Sequence, residues 1–359
     1  MSNIFDLISD YKTLEKAYQQ SQRGHSKFKR QALLFAKNET YNLLQIQTML
    51  KNKTYEFGDY VTFMVYEPKE RIINAPRYRD KIVQLALNDV LKDIYNPVFI
   101  YDSYACIDGK GTHAAVERIS HFMRKANWQY GLQATILKVD VRKFFYSIDR
   151  SILKRIYRKK LKDPDVLWLL DLIIDSADQI SEKGLPLGNT VSQLCANIYM
   201  NELDQYCKRR LGIKYYVRYA DDICIFAPDK GTAQVWQEEI TDFLAMQLNL
   251  EVHTGKTKIF PMKQGVNTLG FKMHPTHRLL RNDSKKKIKR KSKKMRRLIK
   301  NGYMSKEKAE QILNSWHGHA KVGNSHNFVK QLLVRNDYIE QDHKGRLKIK
   351  EEALPDVIP

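Results

Sequence analysis

Three aspartates set the chemistry this chain could perform. Asp221 and Asp222 stand side by side, preceded by Lys214-Tyr215-Tyr216-Val217-Arg218-Tyr219-Ala220 and followed by Ile223-Cys224-Ile225-Phe226. Apolar, β-branched and aromatic residues on both sides predict two short strands, with the two aspartates in the turn of a hairpin. Asp-Asp is also ordinary turn chemistry, because Asp tolerates positive φ. A third carboxylate, Asp140, ends the apolar run Ala134-Thr135-Ile136-Leu137-Lys138-Val139. A carboxylate among such residues needs a cation or a strong donor beside it. Asp140 from one strand and Asp221 with Asp222 from a neighbouring hairpin could hold two Mg²⁺ ions about 4 Å apart, with Mn²⁺ as a substitute, the arrangement that clamps attacking and leaving oxygens in phosphoryl transfer.

Two further stretches accompany these acids. Phe144-Phe145-Tyr146 follows Asp140, and Gly184-Leu185-Pro186-Leu187-Gly188-Asn189-Thr190-Val191-Ser192-Gln193 precedes the hairpin. An aspartate-bearing strand leading into Phe-Phe-Tyr, then this glycine-rich loop, then Tyr-Ala-Asp-Asp, resembles the reverse transcriptase family, whose palm carries such motifs in this order. The likeness runs from about residue 34 to about residue 333. It implies an α+β fold shaped as a right-hand polymerase: fingers, a palm of antiparallel sheet backed by helices, and a helical thumb. On that pattern residues 1–55 form an N-terminal helical extension, 56–280 the fingers and palm, and 281–359 a basic thumb and tail. The implied activity is RNA-directed DNA synthesis, with an RNA template, a nucleic-acid primer and dNTPs as partners.

The resemblance also assigns roles. Tyr60–Tyr66 alternates like a strand, Glu67-Pro68-Lys69-Glu70 reads as a turn and Arg71-Ile72-Ile73 resumes a strand. In the family such a hairpin folds cationic side chains over the incoming triphosphate, and Lys69 and Arg71 match best. Phe145 matches the aromatic wall that collides with a ribose 2′-hydroxyl, while Phe144 reads as core. In the glycine-rich loop Leu187, Gly188, Asn189 and Gln193 would line the nascent base pair. Lys256 matches a lysine near the leaving pyrophosphate, where it could donate a proton, and Lys258 competes for that role. Gly109-Lys110-Gly111-Thr112 lacks the spacing of a nucleotide-hydrolysing P-loop. The resemblance places Lys110 at template RNA instead.

The elements that must position these residues follow from periodicity. Helical stripes are expected from residue 5 to about 49, over 79–91 and 114–124, over 152–161 with Ser151 as N-cap, from Asp163-Pro164 to about 175, over 194–211 and over 232–248. Composition points the same way. Lys plus Arg number 62 against 40 acidic residues in 359, a net charge of +22 with a pI near 9.6, which suits a polyanionic partner. Twelve of the basic residues fall between Arg281 and Lys300 against the single acid Asp283. Ile288, Met295, Leu298 and Ile299 recur at near-helical spacing there, so a folded basic helix that tracks duplex phosphates through Lys286, Lys289, Arg290 and Lys293 is expected. No apolar run approaches the roughly 20 residues of a spanning helix. With no secretory leader pattern and four cysteines without CxxC pairing, a cytoplasmic protein with reduced core thiols and no membrane contact is expected. Residues 335–359 read as polar and uninformative.

Within the family, Leu187 stands where most members carry glutamine, and Gln193 where most carry proline. With Ala105-Cys106 and Ser315-Trp316-His317-Gly318-His319, this variant resembles the reverse transcriptases of diversity-generating retroelements. Those copy a template repeat, misincorporate opposite adenine and act with a small basic accessory protein. Retron and group II intron enzymes are the rival expectation; the short stretch after the basic run disfavours a full intron protein. A catalytically inactive RNA-binding protein is the alternative of a different class, and the intact Asp140, Asp221 and Asp222 speak against it.

Overall fold

The computed structural model describes residues 3–24, 29–66 and 70–350. Its strands are β1 (Val61–Val65), β2 (Arg71–Ala75), β3 (Thr135–Asp140), β4 (Tyr216–Tyr219), β5 (Asp222–Ala227), β6 (Lys258–Pro261), β7 (Val266–Thr268), β8 (Phe271–Met273), β9 (Arg278–Leu280), β10 (Ile339–Gln341) and β11 (Leu347–Ile349). Among the described residues these form sheets of orders β1-β2, β4-β5-β3-β6, β7-β8-β9 and β10-β11. Helices and antiparallel pairs together give the expected α+β class.

The chain divides into two compact units that interleave in sequence. One comprises residues 1–111, 137–225 and 234–258, and the other 112–136, 226–233 and 259–359. In the first unit the helix Thr190–Gln205 buries residues around most of its circumference, from Val191 and Leu194 to Leu203 and Asp204. It packs against Tyr78–Tyr95, which buries Ile82, Val83, Ala86, Leu87, Val90 and Leu91. Burial on nearly all sides marks Thr190–Gln205 as an internal helix rather than a surface one.

Several local expectations are corrected. The helix expected from residue 152 starts at Arg150, and its cap is Asp149, whose side chain accepts from Ser151 N at 3.0 Å and Ile152 N at 3.2 Å. Asp outreaches Ser from two residues further back, so Ser151 falls inside the helix. The helix expected over 194–211 begins at Thr190 and its last turn, Tyr206–Arg210, widens to π geometry. Of the cysteines, Cys195, Cys207 and Cys224 are buried, whereas Cys106 is exposed in a turn at φ +55°.

The second unit holds the three-stranded β7-β8-β9 sheet and the basic helix Asn282–Lys300. That helix buries Ile288, Ser292, Met295 and Ile299, a stripe of i+4 and i+3 steps. Met295 and Ile299 share a core with Ala309 and Leu313 of the helix Lys306–Lys321, Leu332, Tyr338, and Ile339, Leu347 and Ile349 of β10 and β11. The expectation of an uninformative stretch after residue 335 is therefore corrected: short alternating pairs such as Leu347 and Ile349 are too brief to stand out among charged neighbours, yet they close this core.

Candidate catalytic site

Strand β3 delivers Asp140. Ile136, Leu137 and Val139 are buried, while Lys138 and Asp140, two residues apart, are half-buried on one face. β4 and β5 pair antiparallel with Tyr219 opposite Asp222, so Ala220 and Asp221 are the two turn residues and Asp222 opens β5. The positive φ lies on Ala220, at +56°, and on neither aspartate. The expected hairpin is present, but the reason offered for its acids is corrected: the left-handed position is taken by an alanine and the aspartates are not there to relieve the backbone. β5 neighbours β3 in the sheet order, which sets Asp140 and Asp222 on adjacent strands, with Asp221 in the turn that leads into β5.

Their electrostatics reflect that crowding. Burial pushes the Asp221 carboxyl above the usual carboxylate range, and the negative charges of Asp140 and Asp222 push it further. Lys256 Nζ lies 2.8 Å from Asp140 Oδ1 and Lys138 Nζ 3.3 Å from Asp222 Oδ2. Lys256 sits on a turn tied to β3 at its end: His253 N donates to the Asp140 carbonyl at 2.7 Å, and Asp140 N donates to Thr257 Oγ1 at 3.4 Å. Lys258, the competing lysine, is exposed at the start of β6. Lys138 was not singled out from the sequence. The signal was present, because residues i and i+2 of a strand share a face and Lys138 precedes Asp140 by two.

The donor set fits a hard divalent cation: carboxylate oxygens only, with mutual repulsion that a cation would relieve. Among the described residues no trio of carboxylate, imidazole or thiolate groups forms a ready-made cage.

The glycine-rich loop packs against the segment that follows Asp140 and against the β1-β2 hairpin. A Cβ at Gly184, φ +88°, would lie 2.7 Å from Tyr146 Cα, and Leu185 N donates to the Phe145 carbonyl at 2.7 Å. Phe144 is buried, and Phe145, its ring 5.4 Å away in edge contact, is half-buried. At Gly188, φ +109°, a Cβ would meet Ile73 Cγ2 at 2.8 Å, and the Leu187 carbonyl accepts from Asn74 N at 2.7 Å. The loop thus bridges Phe145 and the β1-β2 hairpin, where Arg71 is exposed. Lys69 lies outside the described residues.

Asn189 and Lys110 are engaged otherwise than expected. Asn189 is buried, and its Oδ1 caps the helix Thr190–Gln205 by accepting from Val191 N at 2.8 Å and Ser192 N at 3.3 Å. Asn is among the best N-cap residues, so the same atom that could have met a base pair holds the helix start. Gln193, one turn on, is exposed. Lys110 donates to the carbonyls of Tyr101 at 2.6 Å and Ser103 at 3.1 Å and lies over the Tyr101 and Tyr104 rings. It staples its own loop. On the basic helix Lys286, Arg290 and Lys293 are exposed, whereas Lys289 lies 5.4 Å from the Phe328 ring centre.

Comparison with known proteins agrees with this geometry. The sequence model of the family described as reverse transcriptase (RNA-dependent DNA polymerase) matches residues 65–273. The COX1/OXI3 intron 2 protein of Saccharomyces cerevisiae is 24% identical over 344 residues, covering 77% of this chain and 39% of that protein. Protein YkfC of Escherichia coli is 26% identical over 263 residues, 62% of this chain and 67% of that protein. The group II intron-encoded protein LtrA of Lactococcus lactis subsp. cremoris is 28% identical over 144 residues, 38% of this chain and 23% of that protein. Among solved structures, telomerase from Candida albicans with a fragment of telomeric RNA aligns over 80% of this chain and 56% of that one, with TM-score 0.48 and 12% identity. The chain thus spans well under half of the yeast relative's length.

Proposed function

This chain belongs to the reverse transcriptase family, and we propose that it is an RNA-directed DNA polymerase that extends a primer on an RNA template with dNTPs. The observation that carries this reading is the convergence of Asp140 on β3 with Asp221 and Asp222 of the hairpin whose strand β5 neighbours it, and Lys256 2.8 Å from Asp140. Divalent metal is general in the family, and we assign Mg²⁺ to these three carboxylates, with Mn²⁺ as substitute. When bound, the metal polarises phosphate oxygens and favours the attacking hydroxyl as its alkoxide.

The chain's own residues do the rest. Lys256 balances the charge of Asp140, and its exposed ammonium is the group we assign to donate a proton to the leaving pyrophosphate. Lys138 balances the charge of Asp222. Phe145, held by the loop at Gly184 and Leu185, forms the floor that a 2′-hydroxyl would strike. Arg71 and Lys69 supply positive charge to the triphosphate, and the exposed lysines and arginines of Asn282–Lys300 supply sequence-independent affinity for nucleic acid. Primer extension on a defined RNA with Mg²⁺ tests the reading; incorporation by wild type that is lost in Asp140→Ala is the expected result. Nucleic-acid binding without synthesis under any primer or metal would favour the inactive-scaffold alternative.

Two finer readings differ in fidelity. Leu187 and Gln193 favour an error-prone enzyme of a diversity-generating retroelement, working with a small basic accessory protein: an apolar side chain offers no donor or acceptor to the nascent pair, which loosens geometric selection. Similarity to intron-encoded proteins favours a group II intron-like enzyme, with the retron type beside it. Sequencing cDNA made on a defined RNA separates them. Substitutions concentrated at template adenines and reduced by Leu187→Gln support the first, and uniformly low error supports the second.

A further inference from the structure

Beside the Tyr219–Asp222 hairpin lies a buried polar network. Arg218 and Tyr216, two residues apart on β4, point to one face, and Asn197 and Asp204, seven apart on the helix Thr190–Gln205, present another. Arg218 and Asp204 are both fully buried. Arg218 Nε donates to Asp204 Oδ1 at 2.8 Å and Nη2 to Oδ2 at 2.7 Å, a two-pronged pair, and Tyr216 Oη donates to Asp204 Oδ1 at 2.6 Å. Nη1 donates to Asn197 Oδ1 and to the Ala220 carbonyl, each at 3.1 Å. Asn197 is fixed in turn by its bond to the Ala105 carbonyl at 2.8 Å. The backbone of Arg218 is held as well: its N–H donates to the Asp102 carbonyl at 2.9 Å and its carbonyl accepts from Tyr104 N at 3.0 Å.

Stability alone gives a poor account of this arrangement, because a buried ion pair is commonly no better than apolar residues of the same shape. The Ala220 carbonyl is the informative acceptor. Ala220 has φ +56°, a conformation that L-residues disfavour and that persists only where its surroundings over-determine it. The next residue is Asp221. We propose that Arg218 is a positioning residue: its guanidinium, anchored by Asp204 and Asn197, pins the left-handed Ala220 turn and so sets where Asp221 meets a divalent cation. The proposal rests on the polymerase reading for its metal, and lysine could not replace arginine because one ammonium lacks the planar fork that reaches Asp204, Asn197 and Ala220 together.

The test measures Mn²⁺ binding by electron paramagnetic resonance, with Asp221→Ala defining the background from other sites, alongside primer extension. In Arg218→Lys, shown to be folded by circular dichroism, Mn²⁺ affinity falls by about tenfold or more and kcat falls with it while the KM for dNTP stays within about twofold, since residues that orient metal ligands typically contribute a factor of 10–100. Adding Ala220→Gly, which reaches the left-handed region without a Cβ, restores part of that affinity. Unchanged Mn²⁺ affinity in Arg218→Lys, or a loss that Ala220→Gly leaves untouched, overturns the proposal. If Arg218→Lys does not fold, Asn197→Ala decides: it leaves the Arg218–Asp204 pair in place, and a severalfold loss of Mn²⁺ affinity is expected, with no loss overturning the idea. A wild type that binds Mn²⁺ but extends no primer refutes the polymerase reading alone, and one that binds no Mn²⁺ refutes both.

Discussion

The hairpin at Tyr219–Asp222 and the helix Asn282–Lys300 both concentrate charge, and they use it in opposite ways. At the hairpin, carboxylates and cations are few: Asp140, Asp222 and Lys138 are half-buried, Arg218 and Asp204 are fully buried, and the Asp140–Lys256, Asp222–Lys138 and Asp204–Arg218 pairs stand at fixed distances, with Lys256 the exposed member. On the helix, most of the cations are exposed above a buried stripe of Ile288, Met295 and Ile299. Low-dielectric pairs are strong and intolerant of displacement, whereas exposed charges are individually weak and act by sum. One region should therefore fail on a single substitution, and the other should decline by degrees.

The sharpest break in that contrast is Asp140→Ala or Asp221→Ala. Either is expected to lower primer extension by about a thousandfold or more, near 4 kcal/mol of transition-state stabilisation, while RNA affinity stays within about twofold. Loss of RNA binding in step with activity would mean that the hairpin also supplies affinity. Next comes Phe145→Ala, which should narrow discrimination against ribonucleotides by about ten- to a hundredfold, the range a single steric contact commonly supplies. Competing ribo- and deoxynucleotides on one template give the ratio directly, and an unaltered ratio would leave Phe145 as a packing residue.

The helix should respond more gently. Each neutralised phosphate contributes roughly 0.7–0.9 to the slope of log affinity against log salt. Changing Lys286, Lys289, Arg290 and Lys293 together to Gln should flatten that slope by about 3, with single changes hard to detect. Lys289 is expected to contribute least, because its ammonium already lies over Phe328. The smallest effect is one of stability and reverses the usual sign. Burial and the charges of Asp140 and Asp222 raise the Asp221 carboxyl above its ordinary value, so the folded protein holds that proton more firmly than the unfolded chain. The ionised group therefore opposes folding at neutral pH, and its penalty fades as pH falls through the raised value. Asp221→Asn should raise the melting temperature by about 2 °C at neutral pH in metal-free buffer and give no gain in acid. A lower melting temperature at neutral pH would show that the carboxylate is net stabilising.

The order of motifs made the palm legible, because Asp140, Gly184–Gln193 and Tyr219–Asp222 are local in sequence and their chemistry is carried by residue type. Legibility failed where the folded backbone, rather than residue type, decides which partner a side chain takes. Nothing near Lys110 in sequence announces that its ammonium folds back on the carbonyls of Tyr101 and Ser103. Asn189 could serve a ligand or a helix start, and only the position of the first turn decides. Arg218 looked like one more basic residue beside a motif, since its partners Asp204 and Asn197 are 14 and 21 residues away. The basic helix was visible in its composition, but the strands that complete its core were not.

Those two strands change what the basic run is. A peptide of lysines and arginines spaced three and four apart repels itself along its length and would not hold a helix in water. Here Ile339, Leu347 and Ile349 fill the space under Met295 and Ile299, and Tyr338 Oη donates to the Ser292 carbonyl at 2.6 Å. The C-terminal hairpin works as a splint. It converts a flexible polycation into a helix that presents its charges at a repeat of about 5.4 Å per turn.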